Sequence, residues 1–440
     1  MKARLKRAVD VVGETFWVVP GLITLAGIIL ALILVRVDGS GILPHWLLDS
    51  AWLYNGGSTG ARTLLGAVAS STIGVAGTVF SITIAALSLA AGQMGPRLLR
   101  NFTKDCGNQI TLGAFLGTFS YSLMVLRTVR SEEEGAFVPH LSLTFGIVLA
   151  FVCVGMLVYF VGHMAGRINV DTVVDLVSED VRKSMERLTV RKPQPDPPPL
   201  GFWVSAKQVD DSRRGYLQQL DASGLAQWAL EKKTSVLMLV RPGDYVFPGA
   251  PIAFVKPMVE DAEEAIRSAT ALGPQRGSSA DIEFAVRQLV EVAVRALSPG
   301  INDPLTAISV IDRLGAALCD LVPSHLSTGV VFDQGRPVVV IPSVDYDGLV
   351  DAMFHMIRQN GSRSPAVLIR ILDVLTAVAT LERAPSRVVT LQRHAGLVLD
   401  DAGRNIQSPV DLHDIRTRHR GFVAMKERGP LGHLEALASV

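Results

Sequence analysis

From Thr63 to Pro96 the chain runs 34 residues without an ionisable side chain, yet the stretch is full of Gly, Ser and Thr. As one helix it is about 51 Å long at roughly 1.5 Å per residue, more than the about 30 Å that a bilayer core requires. At helical spacing Ser70, Gly74, Gly77, Ser81, Ala85, Ser88 and Gly92 fall on one stripe. Ile73, Val75, Val79, Phe80, Ile82, Ile84 and Leu87 occupy the other faces. A small, weakly polar seam on a membrane helix either packs closely on other helices or faces water in a pore. Both readings stay open, and in an oligomer they hold together.

Three more apolar segments reach spanning length or come near it: Phe16–Val35, Ile110–Leu126 and Leu141–Gly162. The first is too long for a secretory h-region and no A-x-A site follows, so it reads as a retained anchor. Charged residues make up only 19% of the chain, below the roughly 25% of a soluble domain, and lie mostly after residue 165. Lys2, Arg4, Lys6 and Arg7 precede the first span, while Arg97, Arg100 and Lys104 follow the second and Arg167 the fourth. The two outer loops balance their arginines with acids. The positive-inside asymmetry places both termini and the 92–109 turn in the cytoplasm, and Trp46, Trp52 and Tyr54 suit an outer aromatic belt.

The remainder is soluble in character. Residues 166–190 form an amphipathic helix with Val170, Val173, Val174, Val177 and Val181 on its apolar face. PQPDPPP at 193–199 is a stiff, extended linker. GFWVSAKQ, TSVLMLV and APIAFV are strand-like, with RPGDYVFPG as turn chemistry between the last two. The Thr234–Val255 run has the look of a biotinyl-type module, but Lys256 follows the strand pair instead of sitting in a hairpin, so a structural β module is expected. The expected domains are 1–165 (four-helix transmembrane), 166–199 (amphipathic helix and Pro-rich linker), 200–257 (β module) and 258–440 (cytoplasmic α+β). The fold class is membrane α-helical, followed by a cytoplasmic α+β region with a small β module.

Within 258–440 the distinctive element is SPGINDP between two helices. Asp303 before Pro304 supplies a side-chain acceptor at N-cap and a proline at N1. Ser298 and Asn302 can tie the loop to the backbone. A rigid corner and a ligand or subunit contact are the two readings. VVFDQGRPVVVIP reads as a hairpin, and Asp411, His413, Asp414 and His419 cluster in a tail helix. Because His413 and His419 diverge by about 120° on a helix, a solvated polar helix is expected there, with no metal.

AVRALSPGINDPLTAISVIDRL, EFAVRQLV, SITIAALSLAAGQMGPRLLRNF and RPGDYV together resemble a bacterial group of membrane proteins catalogued as domain of unknown function 2254. The likeness runs over roughly residues 10–420. Members usually read Ala-Ile-Asn-Asp-Pro, so Gly300 departs while Asn302, Asp303 and Pro304 are kept. The resemblance implies an inner-membrane location and this domain order. It carries no reaction, ligand or catalytic residue.

Function is therefore argued by exclusion and by the seam. No H-E-x-x-H, G-x-S-x-G or Walker-type string occurs, and no cofactor is indicated, so an enzyme is not expected. Three scattered cysteines make no zinc site or disulfide framework. A net charge of +1 offers nothing to nucleic acid. None of the four apolar runs contains Asp, Glu, Lys, Arg or His, which demotes an ion-coupled carrier. What remains is a homo-oligomer in the lipid bilayer, with Ser70, Gly74, Gly77, Ser81, Ser88 and Gly92 as a packing or pore seam. Gln93, Arg97 and Arg100 would stand at a cytoplasmic mouth. The alternative is a membrane-tethered sensor or scaffold whose cytoplasmic part binds a partner, an ion or a small molecule.

Overall fold

The computed structural model describes residues 16–40, 54, 56–94, 105–130, 137–167, 169–276 and 282–438. Contacts divide the chain into two compact units, one containing Asp10–Gly92 and Pro96–Asn169, the other built on Val170–Val440. In the first unit lie α1 (Val18–Gly39), α2 (Ser58–Met94), α3 (Cys106–Leu126) and α4 (His140–Arg167). All four are long and apolar enough to cross a membrane.

These helices differ in how much of themselves they bury. In α1 only Pro20 and Ala31 are buried, so its apolar circumference suits lipid. Helix α3 is the opposite case: Asn108, Gln109, Thr111, Thr118 and Ser122 are all buried. It runs through the middle of its unit, which accounts for its being the least apolar of the four. Gly27 of α1 lies on Gly117 of α3 so closely that a Cβ there would meet the Gly117 carbonyl oxygen at 2.6 Å. Between α3 and α4, the Tyr121 hydroxyl donates to the Ser142 carbonyl at 2.7 Å. Asp38 of α1 caps α4 by accepting from the backbone N–H of Leu141 at 3.0 Å and Ser142 at 2.9 Å, satisfying donors that a helix start leaves open.

In the second unit, α5 (Val170–Leu188) buries Val173, Val174, Val177 and Val181, the valine face expected from the sequence. Strand β1 (Thr189–Val190) then pairs with β8 (His325–Leu326). The proline-rich run is extended, and Gln194 fastens it by accepting from the Ser327 hydroxyl at 3.0 Å and the Thr328 N–H at 3.1 Å.

Two sheets follow. The larger has the order β2-β6-β4-β10-β9, and the smaller β5-β3-β7. Their strands are β2 (Lys207–Asp211), β3 (Gly215–Leu220), β4 (Ser235–Met238), β5 (Tyr245–Val246), β6 (Ala250–Lys256), β7 (Thr270–Gly273), β9 (Val330–Asp333) and β10 (Arg336–Val340). Strand β10 runs parallel to β4 and its Val338, Val339 and Val340 are buried. The β region is thus not confined to 200–257, because the predicted hairpin of β9 and β10 completes its sheet from more than seventy residues further on. Lys256 is no swinging carrier: its Nζ donates to the Phe202 carbonyl and lies 4.9 Å from the Phe202 ring centre. Helices α6 (Ala222–Glu231) and α7 (Ala262–Ala269) close the same core.

The rest is helical: α8 (Ile282–Ala296), α9 (Pro304–Leu321), α10 (Tyr346–Asn360), α11 (Pro365–Leu381), α12 (Pro385–Asn405) and α13 (Pro409–Ala438). Helix α13 is kinked at Gly429, which has φ +75°, ahead of Pro430. Its polar cluster is only partly solvated: His413 and Asp414 are exposed, Asp411 and His419 half-buried, and Ile415 and Phe422 give the same helix a fully buried face that was not expected.

Candidate functional site

Helix α2 has two faces of opposite commitment. Ala61, Leu65, Ala69, Thr72, Ala76, Val79, Thr83 and Ala86 are buried and recur at spacings of three and four. Ala61 and Leu65 share one core with Tyr121 of α3 and Leu143 of α4, and Ala76, Val79 and Ala86 share another with Phe115 of α3 and Phe160 of α4. At about 100° per residue the seam lies across the helix from this stripe. Ser70, Gly74, Gly77, Ser81, Ser88 and Gly92 are all exposed. A Cβ built on Gly74, Gly77 or Gly92 meets nothing within 4 Å. Close packing of the seam inside the subunit is therefore excluded among the described residues. The Ser70 and Ser81 hydroxyls donate to the carbonyls of Gly66 at 2.7 Å and Gly77 at 2.9 Å. Their donors are thereby satisfied within the helix, so the seam can face lipid, water or another helix at little cost. Arg97 and Arg100 of the expected mouth lie outside the described residues, as does the Gln93 side chain.

At the loop between α8 and α9 the structure shows how the corner is tied. The Ser298 hydroxyl donates to the Arg295 carbonyl at 2.6 Å. Asn302 acts through its backbone, with φ +50° and its N–H on the Ser298 carbonyl at 2.9 Å. Asp303 caps α9, accepting from the N–H of Leu305 and Thr306 at 3.1 and 3.2 Å and from the Thr306 hydroxyl at 2.6 Å. Pro304 opens the helix. A Cβ at Gly300 meets nothing, so the departure from the family's alanine costs no space. The Thr306 hydroxyl, with the two N–H groups, holds the Asp303 carboxyl below the usual range despite partial burial. Asp303→Ala is expected to cost about 1 kcal/mol in thermal unfolding at neutral pH. Because the folded carboxyl titrates below its unfolded value of about 3.9, this contribution is present above that pH and fades as pH falls through the folded value. The gap between wild type and variant should close in acid.

Two groupings have no local signature in the sequence. Asp105, with its side chain 4% exposed, caps α3 through the Gly107 N–H and lies 2.6 Å from His163 Nε2 on α4. Tyr159 stacks on that imidazole. These ionisable groups sit just beyond the charge-free runs, so hydropathy windows pass over them. In the second unit a cavity of about 230 Å³ opens where α5, the sheets and α8 meet. It is lined by Leu188, Leu220, Ile282, Leu326 and Ile341, with Arg241 as its charged member. Arg241 donates to Glu283 at 2.6 Å.

The family model described as "Predicted membrane protein (DUF2254)" matches residues 13–377. An uncharacterized protein of Mycobacterium tuberculosis (strain CDC 1551 / Oshkosh) is 32% identical over 434 residues, spanning 93% of this chain and 80% of its own. Uncharacterized proteins of Mycobacterium bovis and of Mycobacterium tuberculosis H37Rv match to the same extent. No solved structure matches significantly. With four apolar helices ahead of a helical and small-sheet region, and with a match across most of its length, this chain belongs to the DUF2254 family of predicted membrane proteins.

Proposed function

We propose that the protein is a homo-oligomer of the bacterial inner membrane in which α2 faces the symmetry axis and forms or gates a conduction path for an ion or small solute. Both termini lie in the cytoplasm, and the region after Val170 regulates the path. The observation that carries this reading is the orientation of the seam. Serines and glycines cover the outward side of α2, and nothing described in the chain covers them in turn. Small side chains on a membrane helix suit close approach to a neighbour or a wetted wall. Pure lipid exposure calls for neither.

The test uses purified full-length protein in liposomes, with assembly followed by cross-linking. Ion flux is expected from wild type, and Gly77→Leu or Ser81→Leu should abolish it while the subunit stays folded. A protein that is monomeric in the bilayer and passes no ion would end this reading.

The cavity beside Arg241 favours a second reading, a tethered sensor that binds a small ligand and conducts nothing. Its apolar walls with one guanidinium match the usual form of a ligand pocket. Ligand capture lost on filling the cavity with Ala222→Phe, together with absent flux, would favour the sensor.

A further inference from the structure

Helices α10 and α12 bring together three side chains that neither the seam nor the cavity uses. Asp351 and His355 are four residues apart on α10, so they share a face. His394 reaches them from α12, which packs on α10. His355 Nε2 lies 3.0 Å, and His394 Nε2 2.8 Å, from the same Oδ1 of Asp351. All three donor atoms fall within 4.8 Å of one another. This is the one such convergence of metal-ligating groups found among the described residues.

The donor set is informative. Two imidazole nitrogens and one carboxylate oxygen suit zinc, iron(II), cobalt(II) or nickel(II), whereas magnesium and calcium seek oxygen alone. We propose that Asp351, His355 and His394 bind a divalent transition-metal ion, of which zinc is the reference case, bridging α10 to α12. Metal–ligand lengths near 2.0–2.1 Å place neighbouring donors roughly 3.3 Å apart in tetrahedral geometry. The two imidazole nitrogens need draw back from Asp351 Oδ1 by only about half an ångström to admit the ion.

The surroundings assign each ligand a part. His394 is a rigid inner ligand, its side chain 1% exposed and its ring against Phe354. As it stands, Nε2 donates to the Asp351 carboxylate and Nδ1 is buried without a hydrogen-bond partner, so binding a metal at Nε2 releases the proton that Nε2 now holds. Asp351 and His355 are about one-third exposed, at 35% and 33%, and leave the remaining coordination positions to water or an incoming ligand. Arg393 Nη2 now donates to the same Oδ1 at 2.6 Å. Its guanidinium supplies the positive charge that the carboxylate attracts, and with its side chain 40% exposed it can swing into solvent when a dication replaces it. Arg358, 3.4 Å from His355 Nδ1, is held in place by Asp401.

The experiment uses full-length protein in detergent, with any affinity tag removed and metal stripped by chelator. Zinc titration is followed by calorimetry, and cobalt(II) loading by its visible absorption. One ion per chain is expected, with an upward shift in thermal unfolding at saturating zinc. His394→Gln should lose the binding. His355→Gln, at an accessible position that does not threaten the fold, should weaken it at least tenfold and change the cobalt spectrum. Arg393→Met should tighten it, because the competing guanidinium is gone. A purely structural hydrogen-bonded cluster would gain nothing from that change. No saturable binding by wild type, or unchanged stoichiometry and affinity in both histidine variants, would overturn the proposal. Neither outcome depends on whether the protein conducts.

Discussion

Gly27→Val is expected to abolish the folded four-helix unit. A Cβ at this position meets the Gly117 carbonyl oxygen at 2.6 Å, its carbon at 3.1 Å and its Cα at 3.2 Å. All three are backbone atoms, so no rotamer change relieves the clash. Helix α1 has to back away from α3 along a contact that also includes Gly113, where a Cβ would meet Ile23 at 2.6 Å. Overpacking costs about 1–3 kcal/mol where side chains can adjust, and the upper end or beyond applies here. Size-exclusion profiles and limited proteolysis in detergent should show aggregation or cleavage. Gly77→Leu in the same assays should look like wild type, because that position borders open space. Were the two variants to behave alike, the assignment of inner and outer glycines would be wrong.

The second large effect is expected in the unit built on Val170–Val440. Arg358 is 8% exposed and paired with Asp401, itself 14% exposed. Burial lowers the Arg358 pKa below its ordinary value, with Arg404 nearby adding repulsion, and its Nε has no partner. Arg358→Ala leaves the Asp401 carboxylate unpaired inside the helical bundle. Breaking such a pair costs about 3–5 kcal/mol, visible as a marked drop in the thermal midpoint of full-length protein. The double variant Arg358→Met with Asp401→Leu should recover much of that loss, since removing both charges removes the desolvation penalty as well. Failure of the double variant to recover would mean that the guanidinium acts through other partners, such as His355.

Legibility followed the range of the interactions. Uninterrupted apolar runs disclosed all four long helices, but their ends were displaced: Leu64–Ala91 became Ser58–Met94 because Ser58, Thr59 and Arg62 continue the helix past its apolar part. The valine face of α5 and the Asp303–Pro304 helix start were visible because caps and periodicity are local. The joining of β10 to β4 was not, since Val339 meets Val236 across more than a hundred residues. Asp105 with His163, and Asp351 with His394, were hidden for the same reason. Each acquires a partner only when two helices pack. The seam was readable as a stripe, whereas the direction it faces required knowing which side α3 and α4 occupy.

A proline-rich run is usually regarded as slack between bodies. Here residues 193–199 are anchored: β1 clasps β8 just before them, Gln194 grips Ser327 and Thr328, and Pro195 accepts from the Thr328 hydroxyl at 3.0 Å. The start of the segment is thus held on residues 325–328, directly after the strand that continues from α5. Leu326 and Ser327 also line the Arg241 cavity. The residues that hold the proline-rich run in place are therefore in part the residues that wall the cavity, so a substitution at Ser327 is expected to disturb both.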